Sequence, residues 1–226
     1  MTVLLVMAKA PVPGAVKTRL CPPATPGEAA RIAAAALRDT LDAVRAVPGV
    51  TPVLAVRGCV ADAEDGAELA AALAGWSVLA QRGGDLADRL ANAHADVAAA
   101  WPGRPVLQIG MDTPQLTPGR LLAAARCLDL ADAVLGPAVD GGWWALGLRD
   151  PRQAAALRAV PMSTAWTGQR TWLALARRGL RTLPLPVLRD VDEWPDALAV
   201  AAEAPASRFA RQVARLRPTP VPGGRP

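Results

Sequence analysis

The sequence predicts an α/β fold, a three-layer α/β/α sandwich built on a mostly parallel sheet. Two patterns predict it. Short apolar runs alternate with alanine-rich helical stretches along the chain, as in successive βαβ units. Helix-start signals recur between the runs: Thr25-Pro26, Thr117-Pro118 and Asp150-Pro151 each set a capping side chain before proline at the first helical position.

The elements follow in order. Val3–Met7 is an apolar run too short to span a membrane and without a basic leader, so it reads as the first strand. A helix over Pro26–Val47 follows the Thr25 cap and stops before Gly49. Pro52–Val56 is the second strand, Ala61–Gly75 a helix closed by its glycine, and Ser77–Gln81 the third strand. The helix Leu86–Trp101 begins after a glycine pair with Asp85 at its N-cap, and His94 lies on it as a surface or partly buried residue. Val106–Met111 is a buried apolar strand, and Pro118–Leu130 is a helix. Ala133–Gly136 and Trp143–Gly147 are strands, followed by helices over Pro151–Ala159 and Ala165–Arg178, the latter stopped by Gly179. Ser163-Thr164 caps this last helix, with no base nearby to make it a nucleophile. A strand over Leu180–Val187 and a helix over Pro195–Arg217 complete the order. No composition break or linker interrupts it, so residues 1–217 read as one domain, with Pro218–Pro226 a disordered proline- and glycine-rich tail.

Composition narrows the function classes. The net charge is +5, but the arginines scatter along predicted helix faces, without a stripe or an aromatic-interleaved basic run, which argues against nucleic acid. Cys21, Cys59 and Cys127 match no zinc or disulfide spacing, and His94 has no partner at ligand spacing. A reduced cytoplasmic protein without a membrane span is expected. The oligomeric state is not legible.

Of 25 basic residues only Lys9 and Lys17 are lysines, and both lie in the loop after the first strand, Ala8-Lys9-Ala10-Pro11-Val12-Pro13-Gly14-Ala15-Val16-Lys17-Thr18-Arg19-Leu20. An ammonium is a compact point charge suited to phosphate oxygens. Three cations and a glycine turn at a strand end, where open α/β sheets bind ligands, read as an anion site for a nucleotide phosphate. Asp112, at the tip of Val106–Met111 and stiffened by Pro114, either caps a turn or holds a hard cation bridging phosphate oxygens. Asp140-Gly141-Gly142 is either a hairpin turn or a close backbone approach to a ligand. Asp190 and Asp192 share one face of an extended segment while Val191 faces inward; Asp192 can bind metal, cap the next helix, or both. In Gln81-Arg82-Gly83-Gly84-Asp85-Leu86-Ala87-Asp88-Arg89-Leu90, Arg82 or Arg89 can contact base or phosphate, against simple helix capping by Asp85.

Together these segments resemble the nucleotide-diphospho-sugar transferase (GT-A) fold. More closely, they resemble a bacterial family that includes the arsenosugar-biosynthesis glycosyltransferases. The resemblance rests on Ala8-Lys9-Ala10-Pro11 with Pro13-Gly14-Ala15-Val16-Lys17-Thr18-Arg19-Leu20, on Gly110-Met111-Asp112-Thr113-Pro114, on Gly136-Pro137 with Asp140-Gly141-Gly142-Trp143-Trp144, and on Asp190-Val191-Asp192. It runs in order from about Met1 to about Ala201. It implies a seven-stranded mixed sheet with helices on both faces. Ala8, Lys9, Pro13, Gly14, Lys17 and Arg19 would then wrap the nucleotide phosphates, joined by Arg82. Asp112, with Asp190 and Asp192 as a second arm, would hold Mg²⁺ or Mn²⁺. Gly141 and Gly142 would face the sugar or acceptor; Trp143 and Trp144 either stack on it or pack in the core; and Asp140 is the candidate general base or acceptor-orienting carboxylate. Met111 stands where that family often has serine, Trp143-Trp144 replace tyrosine-type aromatics, and no Asp-x-Asp marks the strand tip.

The activity expected is glycosyl transfer from a nucleotide-diphospho-sugar to a small-molecule acceptor, driven by charge stabilisation on the departing diphosphate. The alternative is nucleotidyl transfer, guanylyltransferase-like, joining a nucleoside triphosphate to a phosphorylated substrate with release of pyrophosphate. Absence of the Gly-x-Gly-x-x-Arg-Met pattern from the first loop tilts the reading to glycosyl transfer. A third reading, supported by Met111 and the missing Asp-x-Asp, is a nucleotide-binding domain without catalysis.

Overall fold

The computed structural model describes residues 1–216. Its strands are β1 (Val3–Lys9), β2 (Thr51–Arg57), β3 (Ser77–Ala80), β4 (Val106–Gly110), β5 (Ala133–Pro137), β6 (Trp143–Leu148) and β7 (Thr182–Pro184). They form one seven-stranded sheet in the order β3-β2-β1-β4-β6-β5-β7. Every pairing is parallel except those of β6 with β4 and β5. The sheet is therefore the mixed, largely parallel one expected, with β6 as its one antiparallel strand among the described residues.

The helices are α1 (Pro26–Arg45), α2 (Gly66–Ala72), α3 (Leu86–Ala100), α4 (Pro118–Arg126), α5 (Thr167–Ala176), α6 (Trp194–Glu203) and α7 (Arg208–Arg215). Strand alternation sends Leu4, Val6 and Ala8 of β1 into the layer of α1, α2 and α4, and Val3, Leu5 and Met7 into the layer of α3 and α5. Both faces are covered, which is why β1 reads as an unbroken apolar run. α1 is alanine-rich because it too is packed on two sides: Ala33 and Leu37 face the sheet, and Ile32 and Ala36 face α6 and α7 around Phe209.

Four of the caps read from sequence form, but Ser163-Thr164 does not cap α5, which starts at Thr167 with Trp166 at its N-cap and no side-chain cap. Thr25 and Glu28 make a reciprocal capping box, Glu28 accepting the Thr25 backbone N–H at 2.8 Å. Asp85, Thr117 and Asp150 each accept a backbone N–H from their own first turn.

Five further expectations need correction. The Pro195–Arg217 helix is two, α6 and α7, interrupted around Pro205, which cannot donate to a continuing helix. Glu193, not Asp192, sits at the α6 N-cap. Pro151–Ala159 is a run of 3-10 turns, and of Ala61–Gly75 only α2 is α-helical. His94 is fully buried against the sheet. The tail Pro218–Pro226 lies outside the described residues.

Candidate active site

The loop after β1 closes on itself before it reaches any ligand. Gly14 takes a positive φ of 74°, and the Lys9 ammonium donates to the Ala15 carbonyl at 2.5 Å across the turn. Lys17 is itself left-handed at φ 50°, which aims its side chain back over the sheet. There it meets Asp112 Oδ1 at 2.6 Å and donates to the Val191 carbonyl. The Val191 N–H in turn donates to the Asp112 carbonyl at 2.8 Å. One lysine thus ties together the first loop, the tip of β4 and the acidic segment ahead of α6.

That segment is extended as expected. Val191 is buried among α1, α6 and α7, which turns Asp190 and Asp192 to the opposite side. Asp192 pairs with Arg19. Burial, then the charges of Asp140 and Asp112, push the Asp190 carboxyl up to about 6, although Lys17 pulls the other way. Asp190 is therefore close enough to Asp140 and to Asp112 to be repelled by each.

Two cavities meet at Arg19, Asp112 and Asp192. The first, of about 330 Å³, is lined by Lys9, Lys17, Arg57, Gln81 and Arg89. Arg57 stands beside Lys9 because their strands are in register. Burial and the Arg57 charge hold the Arg89 guanidinium below its usual range, and its Nε is buried without a partner. Gln81 donates its amide to the carbonyls of Ala8 and Ala55, at 2.8 and 2.9 Å. The second cavity, of about 530 Å³, contains Asp112, Asp140, Asp190 and Asp192 with Arg19, Thr113 and Trp143.

Most of the expected residues converge here. Ala8, Lys9 and Lys17 line the first cavity; Asp140, Gly142, Trp143, Trp144 and Asp190 line the second; Arg19, Asp112 and Asp192 line both. Pro13 and Gly14 shape the loop from its exposed outer side. Arg82 is a correction: it pairs with Asp96 on α3 and lines neither cavity, and Arg89 takes the position instead. Trp144 is buried, its indole N–H donating to the Pro186 carbonyl at 2.9 Å, and Trp143 donates to Thr171 at 3.1 Å. Asp140 holds its own turn, accepting the Gly142 N–H at 2.8 Å. Gly141 has φ 87°, and a side chain there would run into the Ala165 carbonyl at 2.0 Å. The Gly168 N–H donates to the Gly141 carbonyl at 2.8 Å and locks the turn to the start of α5. Sequence reasoning missed Arg57, Gln81 and Thr113. The position of Arg57 depends on β1–β2 register, which no local motif encodes.

The expected ligand set Asp112, Asp190 and Asp192 also needs correction. Among the described residues no three carboxylates, imidazoles or thiols stand together at metal-holding spacing. Lys17 draws Asp112 away and Arg19 draws Asp192. The donor chemistry still suits Mg²⁺ or Mn²⁺ in one respect. Such ions commonly take one or two carboxylates and complete their shell with phosphate oxygens and water, and the mutual repulsion at Asp190 is what a cation relieves.

The chain is similar to one family model and to other proteins, among them the three described next. A family model described as an uncharacterized protein conserved in bacteria (DUF2064) matches residues 40–164. The phosphoenolpyruvate guanylyltransferase of Streptomyces coelicolor is 41% identical over 112 residues, 48% of this chain and 51% of that protein. The chain thus matches about half the length of that curated relative. A crystal structure from Desulfovibrio desulfuricans G20, named as a candidate nucleotide-diphospho-sugar transferase, superposes with a TM-score of 0.81 at 27% identity, over 96% of this chain and 95% of that one. Rv0371c from Mycobacterium tuberculosis H37Rv, solved in complex with manganese, has a TM-score of 0.53 at 19% identity over 88% and 98% of the two chains, a likeness of fold alone. The architecture is that of the GT-A-like superfamily of nucleotide-handling transferases.

Proposed function

The chain belongs to the bacterial DUF2064 family, and from that premise we propose that it is a nucleotidyltransferase, moving the nucleotidyl group of a nucleoside triphosphate to a small acceptor with release of pyrophosphate. The observation that carries this reading is the cluster of Lys9, Lys17, Arg57 and Arg89 around one cavity at the ends of β1 and β2. Its charge matches that of a triphosphate better than that of a diphosphate. The guanylyltransferase name of the half-length relative supports the same reaction class.

The triphosphate would lie against the first loop, with Lys9 and Lys17 on its oxygens and Arg57 and Arg89 along its flank. These groups stabilise charge as it develops on the departing pyrophosphate. Asp112 and Asp190 would hold Mg²⁺ or Mn²⁺ together with phosphate oxygens, where the ion supplies Lewis-acid stabilisation. Asp140 and Asp190 face the acceptor cavity and are the groups able to take its proton. The site residues, the single-domain reading of residues 1–217 and a cytoplasmic location are parts of this proposal. Among the described residues no helix is long and apolar enough to cross a membrane.

Glycosyl transfer is the second reading, favoured by the name of the Desulfovibrio relative and by the kinship with arsenosugar-biosynthesis glycosyltransferases that the loop motifs suggest. Incubation with the four nucleoside triphosphates, and separately with UDP- and GDP-sugars, separates the two. Acceptor-dependent pyrophosphate is the expected result. A nucleoside diphosphate released from sugars, with no pyrophosphate, would transfer the assignment to glycosyl transfer. Thermal stabilisation by nucleotide without turnover of either kind would favour a binding domain.

A further inference from the structure

Charge outside ion pairs is sorted by cavity around the strand ends. Lys9, Arg57 and Arg89 face the first cavity, and among the described residues none of them is in an ion pair. The second cavity holds four carboxylates and one lining cation, Arg19; Asp192 is engaged by Arg19 and Asp112 by Lys17, and among the described residues Asp140 and Asp190 are in no ion pair. A divalent cation there would offset two of those carboxylates and would leave no free cation to receive an anionic group.

Hydrogen-bonding capacity is sorted in the same sense. The carboxylates present acceptor oxygens, whereas the indole donors of Trp143 and Trp144 are spent on Thr171 and Pro186. Thr113 supplies an independent sign of a ligand. It lines the cavity, is 2% exposed, and its hydroxyl has no protein partner. A wall of acceptors wants a ligand of donors, and an anion brought against it meets like charge.

We propose that the second cavity takes a hydroxyl- or amine-bearing acceptor with no phosphate or carboxylate, a polyol or amino alcohol, in contrast to the anionic acceptor named for the half-length relative. The proposal rests on the nucleotidyl-transfer reading for its chemistry. A hydroxyl oxygen of the acceptor bonds to the α-phosphorus of the triphosphate, the bond from that phosphorus to the α–β bridging oxygen breaks, and pyrophosphate leaves with the electron pair. The hydroxyl proton passes to a wall carboxylate.

The test is a binding screen by ligand-observed NMR on the full chain, saturated with an α,β-methylene nucleoside triphosphate and Mg²⁺. The probes are pairs differing by one phosphate: glycerol and glycerol 3-phosphate, ribose and ribose 5-phosphate, ethanolamine and phosphoethanolamine. The unphosphorylated member of a pair is expected to bind at least about ten-fold tighter. Asp140→Asn should narrow that ratio, and Thr113→Val should weaken the unphosphorylated probe by about five-fold. Tighter binding of the phosphorylated members, or no binding by any probe, overturns the proposal. Pyrophosphate release is measured separately with natural triphosphates. Its absence alongside the expected binding order defeats the nucleotidyl reading and leaves the acceptor class standing, while release only with phosphorylated probes does the reverse.

Discussion

Lys17 carries more of the site than any other side chain, because its ammonium is bound at once to Asp112 and to the carbonyl of Val191. Lys17→Ala is expected to abolish nucleotide-induced thermal stabilisation, where Arg82→Ala, on a side chain turned to Asp96, leaves it within a factor of about two. Retention of the shift in Lys17→Ala would remove the phosphate site from the first loop. His94 makes a second prediction at this scale. Burial lowers its imidazole to about 4 from 6.5, with a weak 3.4 Å contact to Gln108 opposing. A depressed value means that the fold favours the neutral ring. The stabilisation is therefore complete above pH 6.5 and lost as pH falls towards 4, amounting to about 3 kcal/mol. Urea unfolding between pH 7 and 4 should show that loss, with a shallower slope in a His94→Leu, Gln108→Leu double variant. The lysines, the aspartates and their loops were legible in sequence because each stands next to a strand end. The burial of His94 was not, since a lone polar residue on an alanine-rich helix leaves no sign of which side meets the sheet.

Between elements, two joints set what the site can tolerate. The Asp140–Gly142 turn lies against the start of α5 with no space for a side chain at Gly141. Gly141→Ala combines a left-handed backbone with that collision, and a loss of about 2–4 kcal/mol is expected, lowering the melting temperature by roughly 4–16 °C. Nucleotide affinity should survive, since the first cavity lies on the other side of Lys17; equal loss of both would mean that the cavities are not separable. At the far side of α1, Asp39 accepts the backbone N–H of Arg208 at 3.2 Å and of Phe209 at 2.8 Å, capping α7 from another helix. Asp39→Ala should cost about 2 kcal/mol in chemical denaturation, with activity per folded molecule unchanged. Helix starts were readable because a cap is a local motif. The break near Pro205 was hidden by helical residues on both sides, and this long-range cap is invisible without the packing.

Over the whole molecule, the cations in no ion pair among the described residues, Lys9, Arg57 and Arg89, gather at the first cavity, and the unpaired carboxylates Asp140 and Asp190 at the second, with the Lys17–Asp112 pair between them. Nucleotide affinity should fall as ionic strength rises, measurably between about 0.05 and 0.3 M salt. Calorimetric titration at several salt concentrations checks this, and a flat dependence would place the nucleotide away from Lys9, Arg57 and Arg89. The βαβ alternation made the layers and the parallel half of the sheet legible from sequence. Which strand lies beside which came from pairing across long distances in the chain, and with it came Arg57 at the side of Lys9.

The Lys17–Asp112 contact also sets a schedule. While the ammonium is held there, the carboxylate that would share in grasping a metal is engaged, and only phosphate oxygens offered to Lys17 compete for its attention. Donor should therefore arrive before acceptor, giving compulsory-order kinetics in which the acceptor cavity is completed by the molecule already seated beside it.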